Sequence, residues 1–414
     1  MEKEKLDSRL RKIQDAPLSN NIILLRVDHN VVKNGRITDP YRIDATIQTL
    51  YYIAANGGKP VLMTHVGRPR DKKTGRITCR DQESVRPIVD YLSQKLPVRI
   101  HMPEFPIDPE AGIVQMNDAM AGALDLLKTG KMDMIYLPNI RWFKGEEAEG
   151  PEREALTEAM ASMADLYVND AFGSWRAHAS TYDVAARIPS YAGLLLQKEL
   201  LNLHRVLEPE RPFAAVVAGA KYDTKIGPLK ALHEKVDHLI LGGLMYNTYL
   251  SAKYDLPIAG ISESDRSLAM DMVAMDQKEN KILEMPWVVE SDHPDQRVDG
   301  EYRSVDIDGL RDRSSIHYLL DVDPRSLEEN RVQEAVGSAK TLFVNAVMGM
   351  MPPVSRGLPG PVRGGHRQPG GAEALCRGRY PAGLQGTVSR ALHDRSGRFP
   401  RLLFYRGREC AFGH

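Results

Sequence analysis

Eight short apolar runs constrain the fold of this chain more tightly than any other feature: IILLRV (22–27), PVLMTH (60–65), PVRIH (97–101), DMIYL (133–137), DLYVND (165–170), FAAVVAG (213–219), DHLILGG (237–243) and TLFVNAV (341–347). At five to seven residues they are too short for amphipathic helices, and they run on where a half-exposed strand would alternate polar with apolar. They therefore read as strands covered on both faces, the pattern of parallel sheets. Helix-length segments such as ATIQTLYYIAANG, PEREALTEAMASMA and PLKALHEKV separate them. Strand alternating with helix predicts an α/β chain of doubly wound, Rossmann-like parallel sheets.

A length of 414 residues exceeds one ordinary domain, so two lobes are expected. The segment IPSYAGLLLQKELLNLHRVLEPERP is a long helical pattern that ends in proline between the two strand sets. It is expected to supply a connecting helix over 191–204, with one lobe over 1–190 and another over 205–351. The acidic stretch SDHPDQRVDGEYRSVDIDG within 255–335 is expected as loops and short strands on a solvated surface. Lys and Arg number 55, as do Asp and Glu, so net charge is zero. That balance argues against a general nucleic-acid or membrane-surface binder. No apolar run approaches the length of a membrane span. The start MEKEKLDSRLRKI is charged and lacks the pattern of a secretory signal. Cys79, Cys376 and Cys410 have neither disulfide nor zinc spacing, which points to a reducing, cytoplasmic compartment. His101, His204, His233 and His238 are scattered and are expected to be structural or surface residues.

In open α/β sheets ligands sit outside the carboxyl ends of the strands. The residues following each run are therefore the candidates for chemistry. After IILL come Arg26, Asp28 and Asn30; after PVLM come His65, Gly67 and Arg68; after DMIYL come Asn139 and Arg141. After DLYV come Asn169, Asp170, Gly173, Arg176 and His178, and Arg42 lies in the loop TDPYRID. Each arginine alone could pair with a surface acid or cap a helix. Together at strand ends they suit a small ligand bearing carboxylate and phosphate, because a planar guanidinium meets either group through two parallel bonds.

The second half repeats the pattern with lysine. FAAVVAG is followed by Lys221 and Lys225, one helical turn apart, which suits nucleotide phosphates at a helix start. DHLILGG ends in Gly242 and Gly243, which permit close backbone approach by a ligand, and TLFVNAV carries Asn345. Neither GxxxxGK[ST] nor GxGxxG occurs, which disfavours a P-loop ATPase and an ordinary dinucleotide dehydrogenase.

RVDHN, THVGRP, PNIRWF, YVNDAFGSWRAHAS, VAGAKYDTKI, LILGGLM and FVNAVMG stand in the order and spacing of phosphoglycerate kinases. The resemblance covers most of residues 15–350. It implies a two-lobed, hinge-bending kinase. The first lobe would bind 3-phosphoglycerate or 1,3-bisphosphoglycerate, and the second ADP or ATP with Mg2+. It places Asp28, Asn30, Arg42, His65, Arg68, Arg141 and Arg176, with His29 among them, at the phosphoglycerate. Arg42 and Lys221 would clamp the migrating phosphoryl group. Lys221, Lys225, Gly242, Gly243 and Asn345 would face the nucleotide. No protein metal ligands are assigned, no nucleic-acid or membrane partner is implied, and a monomer is expected. Three departures stand out: Trp175 where the family has histidine, His29 where it has phenylalanine, and AVMG after Asn345.

The largest departure follows Met351. Residues 352–414 contain no Lys, Ile or Asn and are dense in Arg, Gly and Pro. The family's glycine-rich elements GGGDT and TGGG are missing. Codons compatible with this tail, read one base later, can turn RGRYP (377–381) into Gly-Gly-Asp-Thr-Leu and RGRECAF (406–412) into Gly-Gly-Gly-Ser-Val-Leu-Ser. At the same offset LPGPVRGG (358–365) can become a helix-like Ser-Arg-Ala-Leu-Tyr-Glu-Ala-Val. A frameshift near residues 351–353 is the expected cause, with an Arg-rich extension as the alternative. The second lobe is then incomplete, and the tail, poor in apolar periodicity, is expected to be disordered and not to replace the missing strands.

Overall fold

The structure, a computed structural model, describes residues 6–116, 118–174, 176–219, 226–294, 302–345 and 401–404. The chain divides into two compact units, Met1–Leu203 and His204–His414.

The first unit contains strands β1 (Ile22–Val27), β2 (Val32–Lys33), β3 (Arg36–Ile37), β4 (Lys59–Met63), β5 (Ile100–His101), β6 (Met134–Tyr136), β7 (Leu166–Asp170) and β8 (Ser190–Ala192). Its helices are α1 (Tyr41–Ala55), α2 (Arg86–Lys95), α3 (Asp118–Lys128) and α4 (Pro151–Ser162), and α5 (Leu194–Leu207) runs past its end. Six strands form one sheet in the order β5-β6-β4-β1-β7-β8, and every pairing is parallel. β1 is central and buried throughout. Its alternation distributes the core between two layers. Ile23, Leu25 and Val27 pack with Ile43, Leu50 and Ile53 of α1 and Ile88, Val89 and Leu92 of α2. Ile22 and Leu24 pack with Met120, Ala123 and Leu127 of α3 and Leu156 and Met160 of α4. Arg26 falls in register with Ile22 and Leu24, which places a guanidinium inside the second layer. The chain goes to one side of β1 for β4, β6 and β5 and to the other for β7 and β8. That reversal leaves a crevice at the carboxyl end of β1, where open sheets bind ligands.

The second unit contains β9 (Phe213–Ala218), α6 (Ile226–Lys235), β10 (His238–Gly242), α7 (Gly243–Tyr254), α8 (Glu263–Glu279), β11 (Trp287–Ser291), β12 (Tyr302–Asp306), β13 (Tyr318–Val322), α9 (Asn330–Ser338), β14 (Thr341–Asn345) and β15 (Arg401–Phe404). A parallel sheet has the order β10-β9-β14-β15. The stretch 255–335 is more ordered than expected. It holds the 17-residue helix α8, whose Ser262 side chain accepts from Asp265 N at the start, and an antiparallel sheet β12-β11-β13. Just before the acidic stretch, Glu290 is fully buried and accepts from Arg303, Arg313 and the His317 amide.

The expectation for the tail needs one correction. Arg401–Phe404 pairs in parallel with Thr341–Val344, so this short piece supplies an edge strand. β14 otherwise presents an open row of backbone donors and acceptors, which any short extended segment can satisfy. The rest of 352–414 lies outside the described residues.

Candidate active site

Four loops at the carboxyl ends of β1, β4, β6 and β7, with the start of α1, carry the residues singled out above. Gly173 in the loop after β7 lies directly against Asp28 after β1. A Cβ on Gly173 would stand 2.4 Å from Asp28 Oδ2 and would displace that carboxylate. Asp28 Oδ2 in turn accepts from Arg42 NH1 at 2.9 Å, holding a half-exposed guanidinium over the strand ends.

Asn30 and Gly67 tie the β1 and β4 loops together, Gly67 N donating to Asn30 Oδ1 at 3.1 Å. Gly67 has φ +63°, and a Cβ there would meet the Glu83 carboxylate at 2.6 Å. Its carbonyl accepts from Arg141 NH1 at 2.7 Å, which brings in the loop after β6. Arg141 Nε also pairs with Glu147 at 3.1 Å. Burial outweighs that partner and lowers the Arg141 pKa. Asn139 is buried, bonding Val66 N and O and the Glu83 carbonyl, so it braces the loops and faces no ligand.

His65 sits where the loops meet. Its Nδ1 lies 3.1 Å from Arg26 NH2 and its Nε2 lies 3.2 Å from Asn30 Nδ2. Burial, then the positive charge of Arg26 and Arg141, holds its pKa well below the usual histidine range. His178 is 3.8 Å from Glu147, and its Nε2 has no hydrogen-bond partner. Arg68 is exposed beside this group and contributes to the field that lowers the Arg141 pKa. Arg176 is exposed two residues before His178, whose amide donates to the Arg176 carbonyl at 3.0 Å.

Two expectations are corrected. His29 is not a ligand residue. It is fully buried, with Nδ1 2.8 Å from the Tyr136 hydroxyl and Nε2 2.8 Å from Thr46 Oγ1. Burial, aided by Arg26, drives its pKa down to about 3. It fills the core position below the site as a neutral polar residue, because the alternation that exposes Asp28 and Asn30 turns His29 inward. Arg26 likewise lies within the protein, at 1% exposure. Its Nε donates to Ser180 Oγ at 3.0 Å, and Ser180 Oγ donates to Glu146 Oε1 at 2.7 Å.

Glu146, Glu147 and Ser180 escaped sequence reading, since none follows a strand directly. The signals were the pair GEE after the PNIRWF segment and the position of Ser180 at the end of YVNDAFGSWRAHAS. Glu146 is 1% exposed, and burial pushes its carboxyl up to about 7. Asp170 at the end of β7 also does structural work. Its Oδ1 accepts from Leu195 N at 2.9 Å and Leu196 N at 3.1 Å, capping α5.

In the second unit Gly243 opens α7 at φ +59°. The close approach it permits is made by the chain itself: a Cβ would lie 3.4 Å from the Gly219 carbonyl. Its amide donates to Asp321 Oδ1 at 2.6 Å, so the α7 start already holds a carboxylate. Gly242 precedes it as the helix cap. Asn345 closes β14. Lys221, Lys225 and Trp175 lie outside the described residues. Among the described residues no group of three or more His, Cys, Asp or Glu is arranged to hold a metal ion. Asp321 Oδ1, beside Gly243, is committed to two amides, those of Gly243 and Val322. The described residues therefore supply no all-protein cage for Mg2+, an ion ordinarily held by one or two carboxylates together with substrate phosphates. No helix among them is long and apolar enough to cross a membrane.

Parallel sheets with guanidinium, imidazole and amide groups at the strand ends of the first unit define an α/β protein of the open-sheet class. The family model for phosphoglycerate kinase matches residues 13–356. The chain is 36% identical over 348 residues to the phosphoglycerate kinase of Methylorubrum populi, covering 82% of this chain and 80% of that protein. It is 38% identical over 260 residues to that of Desulforudis audaxviator, covering 62% and 61%. The structure of phosphoglycerate kinase from Coxiella burnetii matches with a TM-score of 0.62 at 27% identity, over 82% of this chain and 80% of that one. The chain belongs to the phosphoglycerate kinase family, and so to the phosphotransferases.

Proposed function

We propose that the protein transfers a phosphoryl group reversibly between 1,3-bisphosphoglycerate and ADP, giving 3-phosphoglycerate and ATP in glycolysis. What supports this reading is that Asn30 and Arg141 meet through Gly67, that His65 lies 3.2 Å from Asn30, and that Arg42 is held by Asp28 beyond the same strand. In the forward step a β-phosphate oxygen of ADP forms a bond to phosphorus. The acyl P–O bond breaks, and the carboxylate leaves with its electron pair. Little covalent chemistry falls to the protein. It positions the two reactants and neutralises charge. Arg42 suits that task, because it is half exposed and is held by a single carboxylate that an incoming anion can share. Lys221, Lys225, Gly242, Gly243 and Asn345 are proposed for the nucleotide side, where Mg2+ would enter with the phosphates and offset their charge. We assign no step to the metal. A monomeric, cytoplasmic enzyme without nucleic-acid or membrane partners accords with the balanced charge.

A second reading has its own support. The family match stops at residue 356, close to the change of composition after Met351, and the glycine-rich elements expected beyond it are missing. On that reading the chain binds phosphoglycerate but holds no nucleotide. Calorimetric titration with 3-phosphoglycerate, ADP and ATP, with a coupled turnover assay, separates the two. Turnover supports the first. Phosphoglycerate heat without nucleotide heat or turnover supports the second. No phosphoglycerate binding at all would refute both.

A further inference from the structure

We propose that Arg26 is a positioning residue that locks His65 as the neutral Nε2–H tautomer, so that the site presents paired donors short of one oxygen acceptor. A guanidinium carries N–H donors and no acceptor. Arg26 NH2 lies 3.1 Å from His65 Nδ1, so Nδ1 must be the acceptor and the ring proton must sit on Nε2. Arg26 is itself anchored. Its Nε donates to Ser180 Oγ at 3.0 Å and its NH1 donates to the Val27 carbonyl. Ser180 is fixed by Glu146, which accepts from both its amide at 3.0 Å and its hydroxyl at 2.7 Å.

The consequence appears on the other side of the ring. His65 Nε2 is 3.2 Å from Asn30 Nδ2, and Asn30 Oδ1 is committed to the Gly67 amide at 3.1 Å. Two donors therefore face each other. Turning the Asn30 amide over does not help, because its NH2 would then face Gly67 N–H. The imidazole N–H, the amide NH2 and the Gly67 N–H have one acceptor between them in either orientation. An oxygen lone pair from outside relieves the clash. This makes the pair a receptor for an anionic oxygen whose donor strength does not change with pH near neutrality. The charges of Arg42 and Arg141 add to the cationic field at the ring, burial lowers the His178 pKa, and Asp28 and Glu147 pair with Arg42 and Arg141. The inference rests on the proposed function only for the identity of that oxygen, a carboxylate or phosphate oxygen of phosphoglycerate.

The test is long-range 1H–15N correlation of the histidine rings in the full chain without ligand, with His65→Gln for assignment. His65 is expected as Nε2–H alone, without titration between pH 8 and 5. Arg26→Met should populate Nδ1–H and raise the His65 titration by about one pH unit or more, the range over which removing an adjacent charge acts. An Nδ1–H tautomer or an imidazolium in the unmodified protein at pH 7 overturns the proposal, and that spectrum decides it even if Arg26→Met fails to fold. A folded Arg26→Met with an unchanged tautomer and titration also overturns it. Adding 3-phosphoglycerate should then move the His65 Nε2–H and Asn30 amide resonances together. A locked tautomer with no ligand response would leave the lock standing and refute the phosphoglycerate reading instead.

Discussion

Replacing Glu146 by glutamine tests whether desolvation or pairing governs the buried layer under the site. Glu146 is 1% exposed, and its pKa is pushed from an ordinary 4.5 up to about 7, first by burial, with Arg26 and the two Ser180 bonds pulling the other way. A carboxyl whose folded pKa is raised does not weaken the fold below its unfolded pKa. The penalty grows as pH rises from 4.5 to about 7 and is complete above that. At about 1.4 kcal/mol per pH unit the plateau is on the order of 3 kcal/mol. Glutamine has the shape of the protonated acid and can keep both contacts, its oxygen on Ser180 N and its NH2 on Ser180 Oγ. Glu146→Gln should therefore be more stable than the parent at pH 8, by up to about 3 kcal/mol. The difference should shrink through pH 7 and vanish below pH 4.5. Urea unfolding followed by Trp142 fluorescence, in a Trp175→Phe, Trp287→Phe background, reads the first unit alone. A variant less stable than the parent at pH 8 would refute the reasoning. It would show that leaving Arg26 without its nearby carboxylate outweighs the relief of desolvation.

Other expectations follow from individual contacts. Asp170→Ala removes the acceptor for two amides at the start of α5 and should cost about 1–2 kcal/mol in urea melts, whereas Asp170→Asn keeps an acceptor and should cost less. Arg42→Ala should weaken 3-phosphoglycerate binding in calorimetry by about 10- to 150-fold, the loss of one charge-assisted contact, with little change in stability because the side chain is half exposed. Arg141→Ala should weaken binding similarly and also lower the melting temperature, since the same side chain braces the Gly67 carbonyl and Glu147. Gly173→Ala should lower affinity without touching ligand, because its Cβ displaces the Asp28 carboxylate that holds Arg42.

Much of this protein was written in local pattern. All eight apolar runs overlap a strand, and seven are largely buried because burial on both faces demands uninterrupted apolar residues; PVRIH instead gives the short, half-buried edge strand β5. The residues at the strand ends were legible for a related reason: topology alone puts ligands there, so Asp28, Asn30, His65 and Arg141 could be named without coordinates. The helix α8, which precedes the acidic stretch, was missed, although Ser262 with Asp265 forms a capping signal that local sequence carries. The strand at Arg401–Phe404 was missed because edge pairing answers to the partner strand and hardly to the tail's own composition.

What sequence by itself determined is the class of element, the family and the set of polar groups delivered to the first unit's strand ends. Only tertiary structure decided what each polar group does there. Arg26 and His29 sit beside Asp28 in the same short motif, yet both point into protein while Asp28 and Asn30 meet the loops. The direction of a side chain at a strand end depends on which helix layer covers that face. Layer packing joins residues such as Arg26, Ser180 and Glu146 that lie far apart along the chain, and short-range pattern carries no record of such distant partners.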